Sequence, residues 1–134
     1  MYLQPKRSKY KKVRKGTLKR FEFKSNKLKF GTIGLKASES GILTSKQLES
    51  ARQSIARKTD RKGKLWLRIF PDLPITSKPT EVRMGKGKGA VSHWAIKVAC
   101  GKILFEICGV NLSTAKAAFK TGGAKLPIKT TIIS

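Results

Sequence analysis

Seven carboxylates, Glu22, Glu39, Glu49, Asp60, Asp72, Glu81 and Glu106, and one imidazole, His93, could carry acid–base chemistry. General acid–base catalysis requires such groups to converge on a reacting atom, and no two of these acids share a close motif. His93 stands alone in an alternating segment and reads as a strand residue facing the core or a partner, not as a general base. The two cysteines, Cys100 and Cys108, are separated by seven residues. That spacing is no zinc pattern, and a single distant histidine cannot complete a site. They read as two buried, reduced thiols in strands. No nucleophile elbow or metal-binding helix motif is present. The sequence therefore predicts no enzyme, no metal and no cofactor.

The segment Arg83–Gly89, RMGKGKG, invites comparison with phosphate-binding loops. A nucleotide P-loop ends G-K-[ST], whereas here Ala90 follows Gly89. The dinucleotide fingerprint fails as well, since its spacing is absent and no helix is predicted behind it. What remains is general physics. Glycines at alternate positions admit positive φ and close backbone approach, while Arg83, Lys86 and Lys88 place cations beside exposed amides. Such a loop suits a crowded, phosphate-rich partner.

Charge points the same way. Thirty-one Lys and Arg oppose seven Asp and Glu, a formal net charge of +24 over 134 residues. Self-repulsion of that size destabilises a compact state unless a polyanion neutralises it. No apolar run approaches the roughly 18 residues a membrane span needs, and no long Lys-rich amphipathic helix favours a lipid surface. Nucleic acid fits better, because counterion release rewards dispersed cations. Hydrophobic residues form 39% of the chain, enough for a folded domain.

The elements that must position these cations can be read coarsely. Residues 1–29 hold twelve basic residues against Glu22, and residues 1–27 read as an extended arm that orders on RNA, with at most a short strand. Residues 28–134 then form a single domain. LKFGTIGLKA (28–37) predicts a strand whose glycines mark a bulge or close approach. Thr44 and Gln47 form a capping box opening a helix with Leu48, Ala51 and Ile55 inward, which ends near Asp60 to Gly63. KLWLRIF (64–70) alternates as a strand. The prolines of PDLPITSKP predict a rigid connection, TEVRM a paired strand, and residues 83–90 an irregular loop. VSHWAIKVA and KILFEIC read as a tight hairpin about Cys100-Gly101. A second helix runs from Leu112, capped by Asn111, and stops at Gly122-Gly123, and IKTTII (128–133) is a last strand. The fold class is α+β: a mixed, largely antiparallel sheet with two helices packed on it. Trp66, Phe70, Trp94 and Phe105 read as core, and no RRM-type stacking motif is present. Binding then rests on phosphate and shape.

Taken together, LQPKRSKYKKVRKG, FGTIGLKA, LTSKQLESARQSIAR, GKLWLRIFPDLPITSKPTEVRMGKGKG and AKLPIKTTII resemble the bacterial and organellar large-subunit ribosomal proteins numbered sixteen. The resemblance covers nearly the whole chain, and FPD-x-PIT-x-KP followed by VRMGKGKG is specific to that family. It implies a hammerhead-like sheet with two helices, and binding to large-subunit rRNA beneath the central protuberance, where aminoacyl-tRNA enters. The arm, Pro5 to Arg14, would reach toward tRNA and the glycine loop toward the peptidyl transferase region. Such proteins support late assembly and tRNA accommodation beside neighbouring ribosomal proteins, while RNA performs catalysis.

Residue by residue, the resemblance implies RNA proximity for Lys6, Arg7, Lys9, Arg83, Met84, Lys86 and Lys88. Lys11, Lys12 and Arg14 continue the arm. Arg52, Arg57, Lys58, Arg61, Lys62 and Arg68 follow from the basic helix and the strand after it. Two departures stand out: the chain stops at Ser134, where typical bacterial members continue, and it keeps Lys86, which chloroplast members usually replace with Ser. The Ile, Lys and Ser richness, the SKPTEV segment and the absence of a presequence favour a mitochondrial ribosome, with the protein organelle-encoded or already processed. A bacterial ribosome is the alternative.

Overall fold

The computed structural model describes residues 3–134, with two helices and seven strands among them. In chain order these are β1 (Ile33–Ala37), β2 (Gly41–Thr44), α1 (Ser45–Lys58), β3 (Lys64–Leu67), β4 (Leu73–Ser77), β5 (Ala90–Val98), β6 (Ile103–Cys108), α2 (Leu112–Gly123) and β7 (Thr130–Ile133). The α+β class and the two helices agree with the sequence reading. The strands, however, divide into two antiparallel sheets, ordered β3-β6-β1-β7 and β2-β5-β4.

Local sequence explains the helices. Thr44 caps α1, its hydroxyl accepting from Gln47 N–H while the Gln47 side chain accepts from Thr44 N–H at 2.9 Å. Leu48, Ala51 and Ile55 then recur at helical spacing and are fully buried. The helix stops at Lys58 with Thr59 as its cap, directly before the expected Asp60 to Gly63 stretch. Asp60 (φ 50°) and Arg61 (φ 59°) already turn into the left-handed region before Gly63 (φ 74°). In α2, Asn111 accepts from Ser113 N–H at 3.3 Å. Gly122 and Gly123 lie inside the helix rather than beyond it. A Cβ on Gly122 would sit 2.5 Å from Ile55 Cγ1, so this glycine permits the two helices to pack. α1 also packs on β2 and β5, and α2 on β1 and β7.

Three expectations for the strands change, and one strand was not expected. Pro71–Pro79 is not merely a connection: Leu73–Ser77 forms β4, where Pro74 is tolerated because β4 is an edge strand. Residues 80–84 form no strand, since Val82 and Met84 are exposed and have no apolar face to bury. Cys100-Gly101 is no hairpin. β5 pairs with β2 and β4 while β6 pairs with β1 and β3, so the chain changes sheets there, with Gly101 at φ 90°. Alternation shows that a segment is a strand, not which partner it takes. Finally, β2 has no counterpart in the sequence reading, being too short to show a period.

Of the strand expected over residues 28–37, only Ile33–Ala37 forms β1, because residues 28–31 leave the ladder to cross the sheet face and bind Glu106. The register of β1 with β6 shifts between Leu35 and Lys36, and a Cβ on Gly34 would lie 2.5 Å from Leu28. Residues 3–32 contain no regular element except a single bridge, Phe21 to Cys100. They are nevertheless moored. Leu3 is 5% exposed and joins the core cluster, Glu22 N–H donates to Cys100 O at 2.9 Å, and Ile103 N–H donates to Ser25 O at 3.0 Å. Both cysteines are free and half-buried rather than buried. Among the aromatics expected in the core, Phe105 is fully buried, Trp66 and Trp94 are half-buried, and Phe70 is exposed.

Candidate RNA interface

Cations dominate three regions. In the first, the β4–β5 loop, residues 78–89, meets the N-terminal arm. Gly85 (φ 100°), Lys86 (φ 53°) and Gly87 (φ 84°) all occupy the left-handed region, and nothing lies within 4 Å of a Cβ on either glycine. Gly89 differs: a Cβ there would meet the backbone of Ser77 and Lys78 at the loop base. Two glycines thus serve conformation and one serves close approach. Lys12 Nζ donates to Lys88 O and Lys88 Nζ to Val13 O, both at 2.8 Å, so the two lysines cross between arm and loop. Lys78 Nζ donates to Gly85 O across the loop. Met84 is 100% exposed at the tip, and Lys6, Arg7, Lys9, Lys11, Arg14 and Arg83 are exposed around it or along the arm.

The second region is the outer face of α1 and the turn after it. Arg52, Arg57, Arg61 and Lys62 line one open hollow. Arg57 and Lys58 line a second, between the helices, together with Lys125, which the sequence reading passed over. Arg52 is tied to Glu49 by bonds of 2.9 and 2.7 Å. That hydrogen bond holds the Glu49 carboxyl below its usual range and raises the Arg52 guanidinium.

In the third region, Arg68 is turned inward. β3 pairs Trp66 with Glu106 of β6, and Glu106 with Gly34 of β1, on the face opposite the core residues Leu65, Ile107 and Ile33. Residues 28–31 cross that face and seal it. The fully buried Glu106 carboxylate accepts from the backbone N–H of Phe30 at 2.6 Å and Gly31 at 2.7 Å, from Lys29 N–H at 3.2 Å, and from the Arg68 guanidinium. Sequence reasoning missed Glu106. An acid on the outward register of ILFEIC reads as solvent-exposed unless the covering segment is known.

Only three ion pairs form among the described residues, through Arg52, Arg68 and Lys102. Glu39 instead accepts from Lys129 N–H at 2.7 Å. No group of three or more His, Cys, Asp or Glu is gathered among the described residues, and no helix is long and apolar enough to cross a membrane. The site therefore offers a field of cations that few acids offset among the described residues.

The model of the family "Ribosomal protein L16p/L10e" matches residues 5–133. The chain belongs to that family. Among its curated relatives are proteins named large ribosomal subunit protein uL16. The one from Halorhodospira halophila is 49% identical, covering 98% of this chain and 96% of that protein. Those from Parvibaculum lavamentivorans and Bartonella quintana are 52% and 53% identical, each covering 98% of this chain and 95% and 96% of theirs. These relatives are bacterial and lend no support to a mitochondrial preference. In this member of the L16p/L10e family, the arm from Pro5 onward, the loop, the α1 face and the sealed Glu106 junction fall within the matched residues.

Proposed function

We propose that this protein is a structural, non-catalytic constituent of the large ribosomal subunit, holding large-subunit rRNA through its arm, its glycine-rich loop and the basic face of α1. The relatives' names and the family match support the subunit. The observation that supports the RNA contact is the excess of cations: a net charge of +24 with three internal ion pairs among the described residues. A fold this basic reaches stability in a particle by neutralising phosphates, each contact releasing counterions.

In this reading residues 1–27 are the arm that orders fully on RNA, and residues 28–134 are the binding domain. Lys6, Arg7, Lys9, Lys11, Lys12 and Arg14 of the arm, with Arg83, Met84, Lys86 and Lys88 of the loop, form one cationic tip, because the Lys12–Lys88 crossing already joins them. Arg57, Lys58, Arg61 and Lys62, with Arg52 at their edge, take a second stretch of backbone. The tip is directed at aminoacyl-tRNA and the peptidyl transferase surroundings, and supports tRNA accommodation and late assembly. Composition favours a mitochondrial ribosome, with a bacterial one the alternative.

Sedimentation through a high-salt sucrose gradient tests the structural role. The protein should remain stoichiometric with active large subunits. Its loss from particles that stay active would identify a cycling assembly factor instead.

A further inference from the structure

We propose that Phe30 and Trp66 form a stacking platform for an unpaired RNA base, a contact of a different kind from the phosphate recognition above, and one that rests on that RNA-binding reading. The Phe30 ring stacks on Trp66 with centroids 6.0 Å apart and planes 21° from parallel. Phe30 is 52% exposed and Trp66 half-buried, so solvent reaches the pair, and cationic side chains lie over its rings.

An exposed phenylalanine in an irregular segment ordinarily samples many orientations. This one has its backbone fixed from beneath. The N–H groups of Lys29, Phe30 and Gly31 all donate to the fully buried Glu106 carboxylate, and the Arg68 guanidinium completes its shell. Gly31 lets the segment lie this close, since a Cβ there would come within 2.7 Å of Ile107 O. Burying a carboxylate is costly unless every lone pair is satisfied. That arrangement holds an aromatic side chain at the surface, where it contributes little to the core.

The cations over the rings identify the occupant. The Arg68 guanidinium lies 5.0 Å and Lys29 Nζ 5.7 Å from the Phe30 ring centre, and Lys64 Nζ lies 5.3 Å from that of Trp66. The acid here, Glu106, is sealed away. A protein partner would bury these cations against apolar surface, at a desolvation cost. A nucleobase stacks on a ring as the flexible lysines swing from the ring faces to its flanking phosphates, the combination by which aromatic and cationic surfaces hold single-stranded RNA. Bases inside a helix hide their faces, so the base is unpaired or terminal.

The test uses the full chain carrying Trp94→Phe, which leaves Trp66 as the sole indole. Hexaadenylate should quench Trp66 fluorescence strongly, whereas inorganic polyphosphate of equal charge should bind with little quenching. Phe30→Leu should weaken hexaadenylate binding about tenfold, with polyphosphate affinity unchanged within twofold. Phe30→Tyr should restore it, which separates lost stacking from lost folding. Equal quenching by the two polyanions, or equal weakening of both by Phe30→Leu, overturns the platform while leaving the RNA-binding reading intact. Failure of both polyanions to bind overturns the two together.

Discussion

The Glu106 junction and the arm–loop tip handle charge in opposite ways. At the junction one carboxylate is fully buried and meets four donors, three from a single backbone stretch. At the tip, lysines meet only carbonyls, Lys12 and Lys88 each bonding the other's strand of chain, while Gly85 and Gly87 face open space. Charge neutralised inside the fold produces rigidity. Charge left uncompensated produces affinity for an external polyanion and a backbone able to conform to it.

That contrast can be broken from either side. Glu106→Gln places an amide nitrogen against backbone donors and strands Arg68, and should cost about 3 kcal/mol in urea unfolding. A cost under about 1 kcal/mol would show that the junction is not the rigid region. Gly31→Ala forces a methyl group onto the β6 backbone and should cost about 2 kcal/mol. Gly87→Ala meets no atom and bears only the left-handed φ, about 1 kcal/mol, so reversal of this order would contradict the comparison. Lys86→Ala with Lys88→Ala should leave unfolding within about 0.5 kcal/mol of the parent. The slope of log K against log salt for large-subunit rRNA should nevertheless fall by about two. Equal loss of stability and binding would make the loop structural.

The smallest effect belongs to Glu49. Its carboxyl is held low by Arg52, so its stabilising share is present above the ordinary carboxylate pKa and is lost as pH falls through the lowered value. Glu49→Gln should cost under about 0.5 kcal/mol at neutral pH, since the pair is partly exposed, and less as acid protonates the carboxylate.

Much of the molecule was legible because its signals are local. The Thr44–Gln47 box, the Asn111 cap and the Leu48-Ala51-Ile55 spacing each depend on a few consecutive residues, and each is found in place. The loop glycines likewise announced their positive φ. What failed to read was pairing over distance. ILFEIC showed a strand but not that β5 and β6 part into different sheets, and PDLPITSKP concealed an edge strand because edge position is a property of the whole sheet. Glu106 and the Phe30–Trp66 pair were missed for the same reason: their environment is supplied by residues 28–31, some 75 positions away from Glu106. Arg68, expected at the RNA from its place in the strand after the basic helix, donates inward to Glu106.

A cryo-EM map of large subunits containing this chain tests the account most directly. The account predicts rRNA phosphates within hydrogen-bonding reach of the arm lysines, Lys86 and Lys88, and of the Arg57–Lys62 turn, with the Glu106 junction unchanged. A particle in which arm and loop face solvent, or from which the chain is absent, would contradict it.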